Sequence, residues 1–63
     1  MFIAITDCTL KRWVINTGMI CSICEHEYDN SLISFQLVNG KQIDVMRIEC
    51  IRVCSEANIP LIF

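Results

Sequence analysis

Five cysteines and one histidine carry the reactive chemistry of this chain. Cys21-x-x-Cys24 and Cys50-x-x-x-Cys54 offer four thiols of the kind that close a tetrahedral zinc site. Two features of the spacing argue against that. Cys21 and Cys24 fall in an apolar strand-like run, where positions of opposite parity face apart. The second pair has a spacing that suits one face of a helix. The expectation is therefore no metal and no cofactor, with the thiols packed as small hydrophobes. The zinc-stapled module on Cys21, Cys24, Cys50 and Cys54 is the alternative. An odd number of cysteines leaves at least one thiol unpaired, which fits a reducing compartment better than a disulfide framework.

His26 lies within Glu25-His26-Glu27-Tyr28-Asp29. Nucleophilic catalysis needs a cysteine or serine beside an oriented base, and nothing else here supplies a base and the group that orients it. A chain this short also struggles to form a pocket of ~300 Å³ without losing its core. The chain is read as no enzyme, with no catalytic residues. The polar run suits partner binding better: Tyr28 is a rigid amphipathic contact, and Glu25, Glu27 and Asp29 complement a basic partner. An opposing basic set, Lys11 and Arg12 beside Trp13 with Lys41 added if the two halves pack as equivalent hairpins, is the nucleic-acid alternative.

The segment Ile59-Pro60-Leu61-Ile62-Phe63 is apolar and has to be covered by something. Pro60 forbids full strand pairing there. Leu61 and Phe63 are thus expected to plug the core or to dock on another chain.

These residues must be positioned by very little protein. A chain of 63 residues supports a single domain over 1–63 and one core. Hydrophobic residues make up 54% and charged residues 19%, more apolar than a small monomer needs, so a partner or a homodimer is expected to cover part of the surface. The net charge of −2 provides no positive field for phosphates, which disfavours nucleic acid. No stretch approaches ~20 uncharged apolar residues, and the opening residues lack the pattern of a secretory signal. The expected location is the cytoplasm.

Strand signals dominate in short β-branched or aromatic runs at Phe2 to Ile5, Trp13 to Ile15, Met19 to Cys24, Leu32 to Val38 and Lys41 to Val45. Around Asn39-Gly40 the parity of the apolar residues fixes a hairpin register. Ile33, Phe35 and Leu37 face inward, as do Ile43 and Val45, so facing partners share parity. A three-residue loop, Val38-Asn39-Gly40, then pairs Leu37 with Lys41, Phe35 with Ile43 and Ile33 with Val45, with glycine in the left-handed position. Trp13 to Cys24 and Ile43 to Cys54 form a weak internal repeat in which Ile20-x-x-Ile23 answers to Ile48-x-x-Ile51. That spacing predicts a hairpin in each half, followed by a helical turn and a final strand. The fold class is mainly β: a small antiparallel curved sheet or partly open barrel of about five strands, with one or two short helical turns. The alternative is α+β with a C-terminal helix over 47–58, carrying a narrow stripe of Ile48, Ile51 and Cys54 or Ser55.

In pattern the chain resembles the small flagellar-operon regulators of the FlbD-like type. The residues that carry the resemblance are Phe2-Ile3-Ala4-Ile5-Thr6, Trp13-Val14-Ile15-Asn16, Ile20-x-x-Ile23 with Cys24-Glu25, and Phe35 to Lys41 with Val45 beyond, about residues 2–53. The layout is also similar to Rho-binding antiterminators with a small Sm-like barrel. Both resemblances imply a non-enzymatic regulator that binds macromolecules. Neither transfers functional residues, and the cysteine content and apolar tail depart from both patterns. The leading expectation is a small regulatory or inhibitory protein that binds another protein through a β edge and an acidic loop, of the kind a phage or mobile element directs at a host protein. A small-barrel nucleic-acid regulator and a zinc-stapled module are the alternatives.

Overall fold

The computed structural model describes residues 1–60. The expectations for Leu61 and Phe63 therefore lie outside the described residues. The fold is mainly β, with five antiparallel strands in two sheets and one C-terminal helix; the sheets do not close into a barrel.

The first sheet is the hairpin of β1 (Phe2–Thr6) and β2 (Arg12–Asn16). Ile3, Ile5 and Ile15 point into the core, as strict alternation requires, while Phe2 and Val14 point out at 70% and 73% exposure. No glycine serves the turn between them. Leu10 takes the left-handed conformation instead, at φ 70°. The Asp7 carboxylate holds it there, accepting from Thr9 N–H, Thr9 hydroxyl and Lys11 N–H at 2.9, 2.7 and 3.0 Å.

A single 3-10 turn at Thr17–Met19, capped by the Asn16 side chain, leads into the second sheet. That sheet contains β3 (Ile20–Glu25), β4 (Leu32–Leu37) and β5 (Gln42–Met46), with β4 central. The β4–β5 register is the one that parity demands, Ile33 opposite Val45 and Phe35 opposite Ile43. The loop closes through Leu37 N–H to Lys41 C=O at 2.8 Å, and Gly40 has φ 87°. A Cβ at Gly40 would meet nothing within 4 Å, so the cost of a side chain there is backbone strain alone. Gly40→Val is expected to lose about 1–2 kcal/mol, or roughly 5–15 °C in thermal midpoint for a domain this small. Gly40→Asn should lose less. An unchanged midpoint in Gly40→Val, measured by circular dichroism, would show that the turn does not depend on a left-handed glycine.

The helix α1 (Arg47–Ala57) follows β5 directly. It is the C-terminal helix of the alternative reading, and it continues where the internal repeat predicts a turn and a final strand. Its buried face differs from the predicted stripe. Cys50, Val53 and Cys54 are buried and Ala57 packs partly against the core, a spacing of i, i+3, i+4, i+7. Ile48 and Ile51 are 78% and 47% exposed. The two halves diverge physically here: Ile20 and Ile23 belong to a strand and pack partly on the core, whereas their counterparts sit on the outer face of a helix. Asn58, left-handed at φ 59°, ends α1 by turning Ile59 N–H back to Cys54 C=O at 2.9 Å. The helix packs on β1, β4 and β5, and one core joins both sheets: Ile3, Ile5 and Ile15 meet Ile33, Phe35, Leu37, Ile43, Val45 and the buried face of α1.

Candidate functional site

The edges of the two sheets are treated unequally. In the β1–β2 ladder, Asp7 N–H bonds Lys11 C=O at 2.9 Å and Thr17 N–H bonds Met1 C=O at 2.8 Å. With Ile3 opposite Ile15 and Ile5 opposite Trp13, alternation makes the odd-numbered residues the bonded ones. Ala4 and Thr6 therefore turn their peptide groups away from β2, and Arg12 and Val14 turn theirs away from β1.

Side chains of α1 cover the β1 edge. Arg52 Nη2 donates to Ala4 C=O at 2.8 Å, and Thr6 N–H donates to Glu49 Oε2 at 2.8 Å. The same Arg52 donates to both Glu49 oxygens at 2.9 Å and pairs with Glu56 at 2.9 Å. The Glu49–Arg52 pair thus presents one acceptor and one donor where a neighbouring strand would present a C=O and an N–H. Arg52 lowers the Glu49 carboxyl below its usual range, opposing a smaller upward push from burial, and the Thr6 amide lowers it further. Glu49, and then Glu56, raise Arg52. The β5 edge is met at one point, where Cys8 N–H donates to Asp44 C=O at 2.8 Å.

The β2 and β3 edges are open. Among the described residues no hydrogen bond reaches the outward peptide groups of Arg12 and Val14, or those of Ile23 and Glu25. Each open edge borders a groove. One of about 480 Å³ runs along β3 and is walled by Ile20, Ile23, Ala57, Ile59 and Pro60. Another of about 450 Å³ lies between β2 and the tip of the β4–β5 hairpin. Both are open surface grooves that form outside the core, between elements that already pack.

The structure brings Lys11 and Lys41 together: their ammonium groups lie 4.3 and 4.7 Å from the centroid of the Trp13 ring. Trp13 is half-buried and its Nε1–H donates to Asp7 Oδ2 at 2.9 Å. That bond, with the Thr9 hydroxyl, holds the Asp7 carboxyl at about 2. Two lysines already cover the indole, so Trp13 is poorly placed to stack on a base as the nucleic-acid alternative requires.

The acidic segment folds back on itself. His26 Nδ1 accepts the backbone N–H groups of Tyr28 and Asp29, each at 3.2 Å. Asp29 Oδ1 accepts Ser31 N–H at 2.9 Å and its hydroxyl at 2.6 Å, which lowers the Asp29 carboxyl. Glu25 pairs with Arg47 at 3.7 Å. Glu27 is exposed, and Tyr28 projects at 86% exposure.

Beside this loop, on the outer face of the second sheet, a polar groove of about 260 Å³ contains Cys24, His26, Ser34, Gln36 and Gln42. At its floor the Ser34 hydroxyl and Gln42 amide donate to Asp44 Oδ1 at 2.7 and 2.9 Å, and His26 Nε2 lies 3.9 Å from Asp44 Oδ2. Burial pushes the Asp44 carboxyl up, but these partners together bring it below its usual value. Cys24 shares this groove with His26, yet the lone pair of Nδ1 is taken by backbone amides and the other nitrogen faces a carboxylate. The geometry orients His26 as a loop-closing residue rather than as a base for Cys24.

The four cysteines of the zinc alternative are not gathered. Cys21 and Cys24 are exposed on β3, while Cys50 and Cys54 are buried on α1 with sulfurs 3.9 Å apart. Burial, and then Cys54, push the Cys50 thiol up to about 12, the wrong direction for a thiolate ligand. Among the described residues no three His, Cys, Asp or Glu side chains converge on a metal position. The expectation that most of the thiols would be buried also needs correcting: Cys8, Cys21 and Cys24 are exposed, because each lies in a turn or on an outward or edge position of a strand.

The Glu49–Arg52 edge cover escaped the sequence reading. Its only local trace is an acid, a base and an acid spaced i, i+3 and i+7 on a helix, a pattern common to solvated helix faces. Comparison of the chain with protein-family models, with curated proteins and with solved structures finds no match in any of the three. Among the described residues, no helix is long and apolar enough to cross a membrane.

Proposed function

We propose that this chain is a small non-enzymatic regulatory or inhibitory protein that acts by binding another protein through an open strand edge, with the Tyr28 loop as a second contact. One observation carries the reading. Among the described residues, side chains of α1 cover the β1 edge and Cys8 meets the β5 edge at Asp44, whereas the β2 and β3 edges receive no bond and each borders a groove. Sheet edges are ordinarily covered or blunted because an unpaired row of N–H and C=O groups templates another strand. Phe2, Val14, Ile48 and Ile51 add exposed apolar surface, in keeping with a chain that binds macromolecules.

The test is affinity capture from lysate of the native host by the tagged full chain, by Val14→Pro and by Tyr28→Ala, with the retained proteins identified by mass spectrometry. Val14 makes no ladder bond through its N–H, so proline there blocks the edge without removing a β1–β2 bond. The expected result is a discrete protein retained by the parent and lost from the edge variant. No retained protein, or the same set on parent and both variants, would overturn the reading.

A further inference from the structure

Resting on that reading, we propose that the groove between β2 and the β4–β5 hairpin takes an extended, acid-bearing segment of the partner protein, added as a strand on β2. Three observations converge on this groove. The outward peptide groups of Arg12 and Val14 are unbonded among the described residues and form its edge, so an extended backbone can continue the ladder there. The walls beyond that edge are apolar, with Ile15, Met19 and Leu37 lining the groove and Phe2 and Val14 open to solvent. An added strand presents alternate side chains to such walls.

Charge then selects the partner. Lys11 and Lys41 meet over Trp13 at the rim, and among the described residues neither lysine forms an ion pair with a carboxylate; Arg12 acts on Glu49 instead. The acidic loop joins β3 to the Leu32 end of β4, whereas Lys41 follows the Leu37 end, so the two charge sets are attached at opposite ends of a strand about 17 Å long. In a chain of net charge −2, two ammonium groups thus stand at the groove without an ion pair, while the neighbouring Asp7 carboxylate is taken up by Trp13 Nε1–H, Thr9 and the Lys11 N–H. A second copy is the weaker occupant. Paired antiparallel about Val14, it would set Arg12 against Asn16 and bring no carboxylate to the lysines.

The test pans a displayed library of random heptapeptides on the folded full chain. Enriched peptides are then synthesised and followed by backbone amide shifts. Expected are peptides with apolar residues at alternate positions and Asp or Glu between them, shifting Arg12, Val14 and Asn16. Binding should weaken at least tenfold in Val14→Pro and, independently of any effect of proline on folding, in the exposed pair Lys11→Glu with Lys41→Glu. Several outcomes would overturn the proposal: no enrichment; enrichment without acids; equal binding by parent and charge-reversed chain; displacement of the peptides by oligothymidylate; or a doubled mass in light scattering that Val14→Pro abolishes. Peptides that shift only residues 25–29 would also remove the groove, while leaving the partner-binding reading standing. Failure of the lysate capture as well would remove both.

Discussion

Phe35→Ala is expected to leave this chain without a cooperatively folded state at 25 °C. Phe35 is fully buried in the central strand, opposite Ile23 on β3 and Ile43 on β5. It therefore ties the second sheet to the core that α1 closes. Removing a buried phenyl ring costs about 3–5 kcal/mol in transfer and cavity terms. A single core in a chain under ~70 residues supplies no more than about that amount in total. The loss and the reserve are the same size, so the balance tips to the unfolded chain. The measurement is amide dispersion in a two-dimensional NMR spectrum together with a urea transition. Phe35→Leu, which keeps an apolar side chain in place, should retain both. A sigmoidal urea transition in Phe35→Ala would show that the core is larger or better stapled than a chain of this length ordinarily builds.

The second large effect belongs to Glu49. Its side chain is 18% exposed and accepts the Thr6 N–H while holding Arg52. Glu49→Ala leaves a half-covered donor without its acceptor and releases the arginine that covers Ala4 C=O, a loss of about 1–3 kcal/mol. It also opens the β1 edge, so association between copies should rise with concentration. Acid should act on the parent in the same direction. The Glu49 carboxyl is lowered from its ordinary 4.5, so the folded state binds its proton more weakly than the unfolded chain does. That contribution is fully present above pH 4.5 and is lost as pH falls through the lowered value. Asp7, held at about 2, and Asp44, also lowered, add losses of the same sign further into acid. Urea midpoints measured from pH 7 down to pH 2 should therefore fall for the parent, with a shallower slope for Glu49→Gln. Identical slopes would mean that Glu49 does not sense the fold.

Much of this fold is legible in the amino-acid order because the controlling interactions are local. Alternation of Ile33, Phe35 and Leu37 against Ile43 and Val45 allows one register, and the left-handed position at Gly40 admits few other residues. The helix was harder to read. Cys50, Cys54 and Ala57 are small, so the larger Ile48 and Ile51 outweigh them in any count of apolar positions, although the small residues are the ones that fit against the sheet. The reactive residues were likewise visible as types but not as neighbours. Lys11 and Lys41 meet on Trp13 only because the two hairpins pack against each other.

The open edge was foreseeable as a feature and not as a place. Parity tells which residues of β2 turn outward. Which edge stays open was decided by contacts spanning 43 and 48 residues, Thr6 to Glu49 and Ala4 to Arg52, and by Cys8 reaching Asp44. Strand pattern is a property of neighbours in the chain and survives in the sequence by itself. The cover on β1 and the contact on β5, and hence the contrast with β2 and β3, exist only once α1 and the first turn are packed against the sheets.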